Sequence, residues 1–249
     1  MDDWLSLLLP FSLLLARVSA FVMVLPIFSW RDVPMRVRAA LALLLTIFVA
    51  IVLPRPAVGN VSTLAAAVLL GQELLWGLGL GLGASFIFLA VQQGARIVSL
   101  QMGLGEAEIY DPVSGEPVEA IDTFLEMTFV VFFLALGGHH LLLMLIFRSF
   151  DAFPVASAPD VGVLSRGLVE AGSAMLVLAL KASSPVLAAF LVLSVLLAVL
   201  ARVLPEMNIL FTSLPLRVGL GLFMAAAILP LMNGIAGELA QWIDRLLVT

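Results

Sequence analysis

Arginines and acidic residues are spaced along this chain so that they leave long stretches with no charge at all. Such runs cover residues 39–54, 74–95, 127–147, 182–201 and 218–237, and a sixth from Trp4 to Trp30 is broken only by Arg17. A bilayer core about 30 Å thick takes about 20 apolar residues in helical form, and these runs are of that order. Because lipid offers no hydrogen bonds, the backbone of each run has to satisfy itself, which an α-helix does. Composition agrees: 63% of the 249 residues are hydrophobic, 12% are charged, and the mean hydropathy is +1.19. A soluble domain is typically about half apolar and about a quarter charged, and no soluble fold of this size hides so much apolar surface. The expected class is all-α: a polytopic membrane protein of about six long, kinked hydrophobic helices.

The segments read as roughly 4–29, 36–54, 62–98, 123–147, 167–203 and 215–245. Met1-Asp2-Asp3-Trp4 carries no basic region of the kind that opens a cleaved signal peptide, so the first segment is kept as a helix. Pro54-Arg55-Pro56 ends the second, Gly137-Gly138 interrupts the fourth, and Pro154 and Pro159 mark a turn-rich connector over 151–160. Residues 62–98 and 167–203 outrun the bilayer at 1.5 Å per residue. They are expected to tilt, kink or lie against other subunits, with Ser183-Ser184-Pro185 as a kink point in the second. Arg31, Arg36 and Arg38 put the first loop on the cytoplasmic side by the positive-inside rule. Alternation then puts 99–122 and the 202–217 turn inside as well. A net charge of −5, with Lys181 the single lysine, argues against nucleic acid. The absence of cysteine removes disulfides and thiolate metal sites, and no cofactor is expected.

Four features invite a chemical reading. Gly77, Gly79, Gly81 and Gly83 alternate along one segment. They lack the Gly-Lys-Ser/Thr and the preceding strand of a nucleotide loop, and they form small-xxx-small pairs for close helix packing. Gly83-Ala84-Ser85-Phe86, with His139-His140 in another helix, faintly suggests an intramembrane serine hydrolase; a hydrogen-bonded packing role for the histidines is the favoured reading. Arg17, Glu73, Arg96, Glu126 and Lys181 lie in or near spans, where ionisable groups mark a pathway, a relay or a buried pair; structural pairing is favoured. Residues 103–121 hold Glu106, Glu108, Asp111, Glu116 and Glu119 among Gly103, Gly105, Gly115, Pro112 and Pro117. This is either a solvated loop or a segment projecting into a polar lumen.

Several short elements, in order and over essentially the whole chain, resemble the FliR/SctT family, the export-gate subunit of flagellar and virulence type III secretion systems. They are Leu25-Pro26-Ile27-Phe28 with Asp32-Val33-Pro34-Met35-Arg36-Val37-Arg38; Leu100-Gln101-Met102-Gly103-Leu104 leading to Asp111-Pro112; Gly138-His139-His140-Leu141; and Arg202, Pro205-Glu206-Met207-Asn208-Ile209 and Leu214-Pro215-Leu216. The chain departs from the family at Glu206, Ser213, Glu106 and Glu108. The resemblance implies a non-enzymatic subunit, its helices arranged as hairpins in a hetero-oligomeric gate in the bacterial inner membrane. It implies assembly with FliP-type and FliQ-type proteins, with FlhB-type and FlhA-type neighbours, to pass unfolded export substrates. Residues 1–165 would form a FliP-like unit and 166–249 a FliQ-like hairpin. Gly103, Gly105, Glu106, Glu108, Ile109, Tyr110, Asp111, Pro112, Gly115 and Pro117 would belong to a loop that helps close the channel. Arg202, Pro205, Glu206, Asn208 and Pro215 would form a hairpin tip met by an FlhB-type protein. A polytopic small-solute transporter is the alternative.

Overall fold

The structure is a computed structural model, and it describes residues 3–29, 33–53, 61–103, 120–204 and 209–228. These form eight helices: α1 (Asp3–Val24), α2 (Pro26–Ser29), α3 (Met35–Val52), α4 (Thr63–Gln101), α5 (Ala120–Ala135), α6 (Gly138–Ala152), α7 (Val161–Val203) and α8 (Ile209–Ile228). No strand occurs among the described residues.

Local chemistry sets most of the boundaries. Pro26 disfavours helical geometry at Leu25 and suits the first turn of a new helix, so the first hydrophobic segment is two helices where one was expected. Pro34, with φ −58° and ψ 143°, precedes α3, and its carbonyl accepts Val37 N–H at 2.9 Å. Ser62 Oγ accepts Ala65 N–H at 3.3 Å ahead of α4. Asp160 Oδ1 accepts Gly162 N–H at 2.8 Å, a side-chain cap that starts α7 six residues before the expected 167. Two glycines end helices by adopting a left-handed conformation that other residues avoid: Gly103 (φ 77°) after α4 and Gly137 (φ 78°) between α5 and α6. At Gly137 the pair Thr123–Ala135 and Gly138–Ala152 bends by 71°.

α7 continues through Pro185. A proline has no N–H, so the carbonyl four residues back, that of Lys181, loses its helical donor. Ser184 Oγ donates to that carbonyl at 2.9 Å, which keeps the bond satisfied without breaking the helix. Pro215 lies inside α8, so the turn before α8 is shorter than the expected 202–217.

Among the described residues three helices, α3, α4 and α7, are long and apolar enough to cross a membrane, and the bent α5–α6 pair makes up to four. Shorter apolar helices run over Leu8–Val24 and Ser213–Ala227.

The chain divides into two compact units. The first takes the described residues through Ile87 and Gly137–Ser173; the second takes Phe88–Leu136 and the described residues from Ala174 onward. In the first, α1 packs on α2 and α3, and Leu13, Val18, Val22, Val49, Leu145 and Ile146 are buried in its core. In the second, Ala95 and Val98 of α4 and Met102 just after it cluster with Leu125, Val186 and Phe190, and Val218, Leu220 and Met224 of α8 pack on them. Phe88 meets Phe129 and Phe133 edge-on, at 5.8 and 5.1 Å between ring centres.

Candidate functional site

Two polar or close-packed features of the first unit stand out against its apolar core. One is an ion pair. Arg17 of α1 and Glu73 of α4 are both fully buried, and Arg17 Nε donates to Glu73 Oε2 at 2.6 Å. Arg17 Nη1 donates to the carbonyls of Ser149 (3.0 Å) and Phe153 (2.9 Å), which are at the end of α6. Glu73 Oε1 accepts Ala156 N–H at 2.8 Å. The guanidinium also lies over the Phe150 ring, 4.5 Å from its centre. Trp76, one turn beyond Glu73, stacks on Phe153 at 3.8 Å. A helix that ends in an apolar environment leaves carbonyls without donors; here the arginine supplies one to Phe153 and adds a second to Ser149, whose carbonyl also accepts the N–H of Phe153 at 2.9 Å. The pair therefore ties α1, α4, the end of α6 and the connector to α7 at one point.

Ala156 takes φ 67°, the one described non-glycine residue with positive φ. Its N–H is held by Glu73. The carboxylate thus stabilises a backbone conformation that an L-residue otherwise avoids.

The second feature is the glycine ladder, which serves two faces of α4. A Cβ on Gly77 would run into the Arg17 carbonyl and lie 2.8 Å from Ala20 Cβ. One on Gly81 would sit 3.1 Å from both Phe21 O and Val24 Cβ. Both glycines therefore let α1 approach the α4 backbone. A Cβ on Gly79 would run into Leu164 Cδ1, so this glycine receives a leucine of α7. Gly83 is buried as well.

Other candidates are placed as follows. The rings of His139 and His140 lie 4.1 Å apart between centres and are tilted by 37°. His139 Nδ1 is buried and makes no hydrogen bond among the described residues. Ser85 Oγ donates to Leu82 O at 2.7 Å and is spent on its own helix. Glu126 accepts from Gln92 Nε2 at 3.4 Å. Lys181 and Arg202 are exposed. Of the 103–121 segment, Gly103 is described as the end of α4, and Gly105, Glu106, Glu108, Ile109, Tyr110, Asp111, Pro112, Gly115 and Pro117 lie outside the described residues. Pro205, Glu206 and Asn208 of the tip lie outside them too.

One contact had no signal in the sequence. A Cβ on Gly221 of α8 would run into the Met102 side chain, which is itself fully buried. The end of α4 is seated on a glycine notch of α8.

An all-α chain with several membrane-length helices, an internal ionic node and glycine-mediated helix contacts is a polytopic helical membrane protein. The family described as "Bacterial export proteins, family 1" matches residues 8–242, and the chain belongs to it. A protein of Escherichia coli K12 named flagellar biosynthetic protein FliR is 32% identical over 246 residues, covering 99% of this chain and 94% of the relative. Proteins of the same name from Pectobacterium carotovorum (29% identity; 93% and 88% covered) and Bacillus subtilis 168 (30%; 90% and 87%) are similar over most of their length. The chain is a membrane component of flagellar-type protein export.

Proposed function

We propose that this chain is the FliR-type subunit of a flagellar export gate in the bacterial inner membrane. It assembles with FliP-type and FliQ-type subunits, with FlhB-type and FlhA-type proteins as neighbours, and unfolded export substrates pass through the channel so formed. The observation that carries this reading is the mismatch between helix length and membrane thickness. The 39 residues of α4 and 43 of α7 extend about 58 and 64 Å at 1.5 Å per residue, against about 30 Å of hydrocarbon. Large aliphatic side chains stay exposed along α7 from Val161 to Val203. Surface of that kind beyond the reach of lipid needs other protein to cover it. Residues 1–165 then act as the FliP-like part and 166–249 as the FliQ-like hairpin, with 103–121 as the plug and the 202–217 tip contacting the FlhB-type protein. The chain acts as scaffold and channel wall, with no chemistry of its own.

The test is co-expression with FliP-type and FliQ-type partners from the same organism, followed by gentle detergent extraction. A large hetero-oligomer containing this chain is the expected product, with the chain unstable when expressed alone. A monodisperse monomer or small homo-oligomer would instead favour the solute-transporter alternative.

A further inference from the structure

Lys181 is the only lysine of the chain and stands at the middle of its longest helix, the twenty-first residue of 43. Among the described residues nothing answers its charge. Leu176, Val177 and Leu180 before it, and Leu191 and Val192 beyond it, are exposed aliphatics. The nearest acidic residue towards the N-terminus is Glu170 and towards the C-terminus Glu206, so no carboxylate lies at the i±3 or i±4 positions where helix ion pairs form. None of the described ion pairs includes it.

The placement around the helix is equally specific. At 3.6 residues per turn, Val177, Lys181, Ser184 and Ala188 fall within an arc of about 60°, and all four are exposed. Ala179, Ser183, Val186 and Phe190, which are buried, occupy the opposite arc, and Val186 and Phe190 belong to the core of the second unit. The face that carries the cation is thus turned away from the chain's own core. One turn past Lys181 that face narrows to Ser184 and then Ala188. Ser184 spends its hydroxyl on the Lys181 carbonyl at 2.9 Å, so it presents a small surface with no unmet hydrogen bond. Small side chains on one face let a second helix backbone approach closely. A lone ammonium facing lipid is costly unless it finds a partner.

We propose that the Val177–Ala188 face of α7 docks an apolar helix of a neighbouring export subunit, and that this helix presents a carboxylate to Lys181. The cation sets which helix binds and in what register, and Ser184 and Ala188 give it room. The proposal rests on the hetero-oligomeric reading above and names the contact surface within it.

The chain contains no cysteine, so single replacements can be addressed by thiol chemistry on this subunit without background. In the complex co-expressed with FliP-type and FliQ-type partners, Val177→Cys, Ser184→Cys and Ala188→Cys, each carrying a short photo-crosslinker, are expected to give an adduct with a neighbouring subunit. Lys181→Met is expected to lower the co-purified partner at least about tenfold, as loss of one member of a desolvated charge pair does, while Lys181→Arg retains it. Phospholipid adducts at the three cysteine positions would overturn the proposal in favour of a lipid-facing lysine. So would wild-type recovery of the complex with Lys181→Met. If the unsubstituted chain forms no complex at all, the assembly reading itself fails, and this surface with it.

Discussion

Arg17 and Glu73, 56 positions apart, meet through Nε and Oε2 at 2.6 Å with neither side chain exposed, while Arg17 Nη1 and Glu73 Oε1 go to backbone at the end of α6 and in the connector beyond it. A buried pair is weak evidence of net stabilisation, because desolvation offsets most of the attraction, but removing one partner leaves an uncompensated charge. Arg17→Met is therefore expected to destabilise the folded chain by about 3–5 kcal/mol, seen as a large drop in melting temperature in detergent. The double variant Arg17→Met, Glu73→Leu should recover part of this and not all, since the carbonyl of Phe153 and the N–H of Ala156 lose the partners they had, while the carbonyl of Ser149 keeps the N–H of Phe153. Full additivity of the two single variants would show that the residues do not interact.

Ala156 offers a change in the opposite direction. Its φ of 67° costs an L-residue about 1–2 kcal/mol, and glycine takes this conformation freely. Ala156→Gly should raise the melting temperature, with a gain below the full strain energy because glycine also loosens the unfolded chain. Ala156→Val should lower it. A fall for the glycine variant would mean that the connector is held in a different conformation.

Glycines of α4 divide into those that touch something and those that do not. Gly77→Ala puts a methyl group against the Arg17 carbonyl and Ala20, both on α1, so the helices must separate at a cost of about 1–3 kcal/mol. Gly71 has nothing within 4 Å of an added Cβ, so Gly71→Ala should stabilise the helix by up to about 1 kcal/mol through propensity alone. Gly79→Leu should leave membrane insertion intact and lower assembly yield, because Leu164 already fills that space. Equal effects of the alanine variants at 71 and 77 would show that α1 does not approach α4 at Gly77.

Much of this architecture can be read from residue order. Charge-free runs locate the hydrophobic helices, Pro34 and Gly137 punctuate them, and the glycine ladder announces close packing. The Leu25-Pro26 break and the Asp160 cap are also legible as local signals, though both lie at the edges of long hydrophobic runs. The ionic node is different in kind. Arg17 and Glu73 each stand out as costly, but nothing in a single sequence pairs residues 56 apart when other ionisable groups compete. The strain at Ala156 and the seat of Met102 on Gly221 arise from how distant backbones meet, and neither leaves a local pattern.

The acidic segment 103–121 yields a functional prediction. Its five carboxylates need water or protein around them, which a polar lumen and an ordinary cytoplasmic loop both provide. Deleting 106–117 in the assembled complex should raise leakage of ions or normally excluded solutes if the segment plugs the channel. Background conductance with a fully assembled complex would remove the plug from the reading and leave a surface loop.

Met102 and Gly221 provide the last test. Met102 is fully buried where α4 ends, and its side chain fills the space a Cβ on Gly221 would need. Gly221→Ala should be nearly tolerated, because methionine is unbranched and can shift its chain. Gly221→Leu leaves no such room and should destabilise the second unit by about 1–3 kcal/mol. Met102→Ala alone removes buried volume and should cost about 2–5 kcal/mol. If the two residues share one space, Gly221→Leu combined with Met102→Ala exchanges large for small across the contact, and the double variant should be more stable than the sum of the single losses. The coupling is read from a double-mutant cycle of melting temperatures in the same detergent. A coupling energy indistinguishable from zero would mean that α8 does not seat the end of α4 at this glycine.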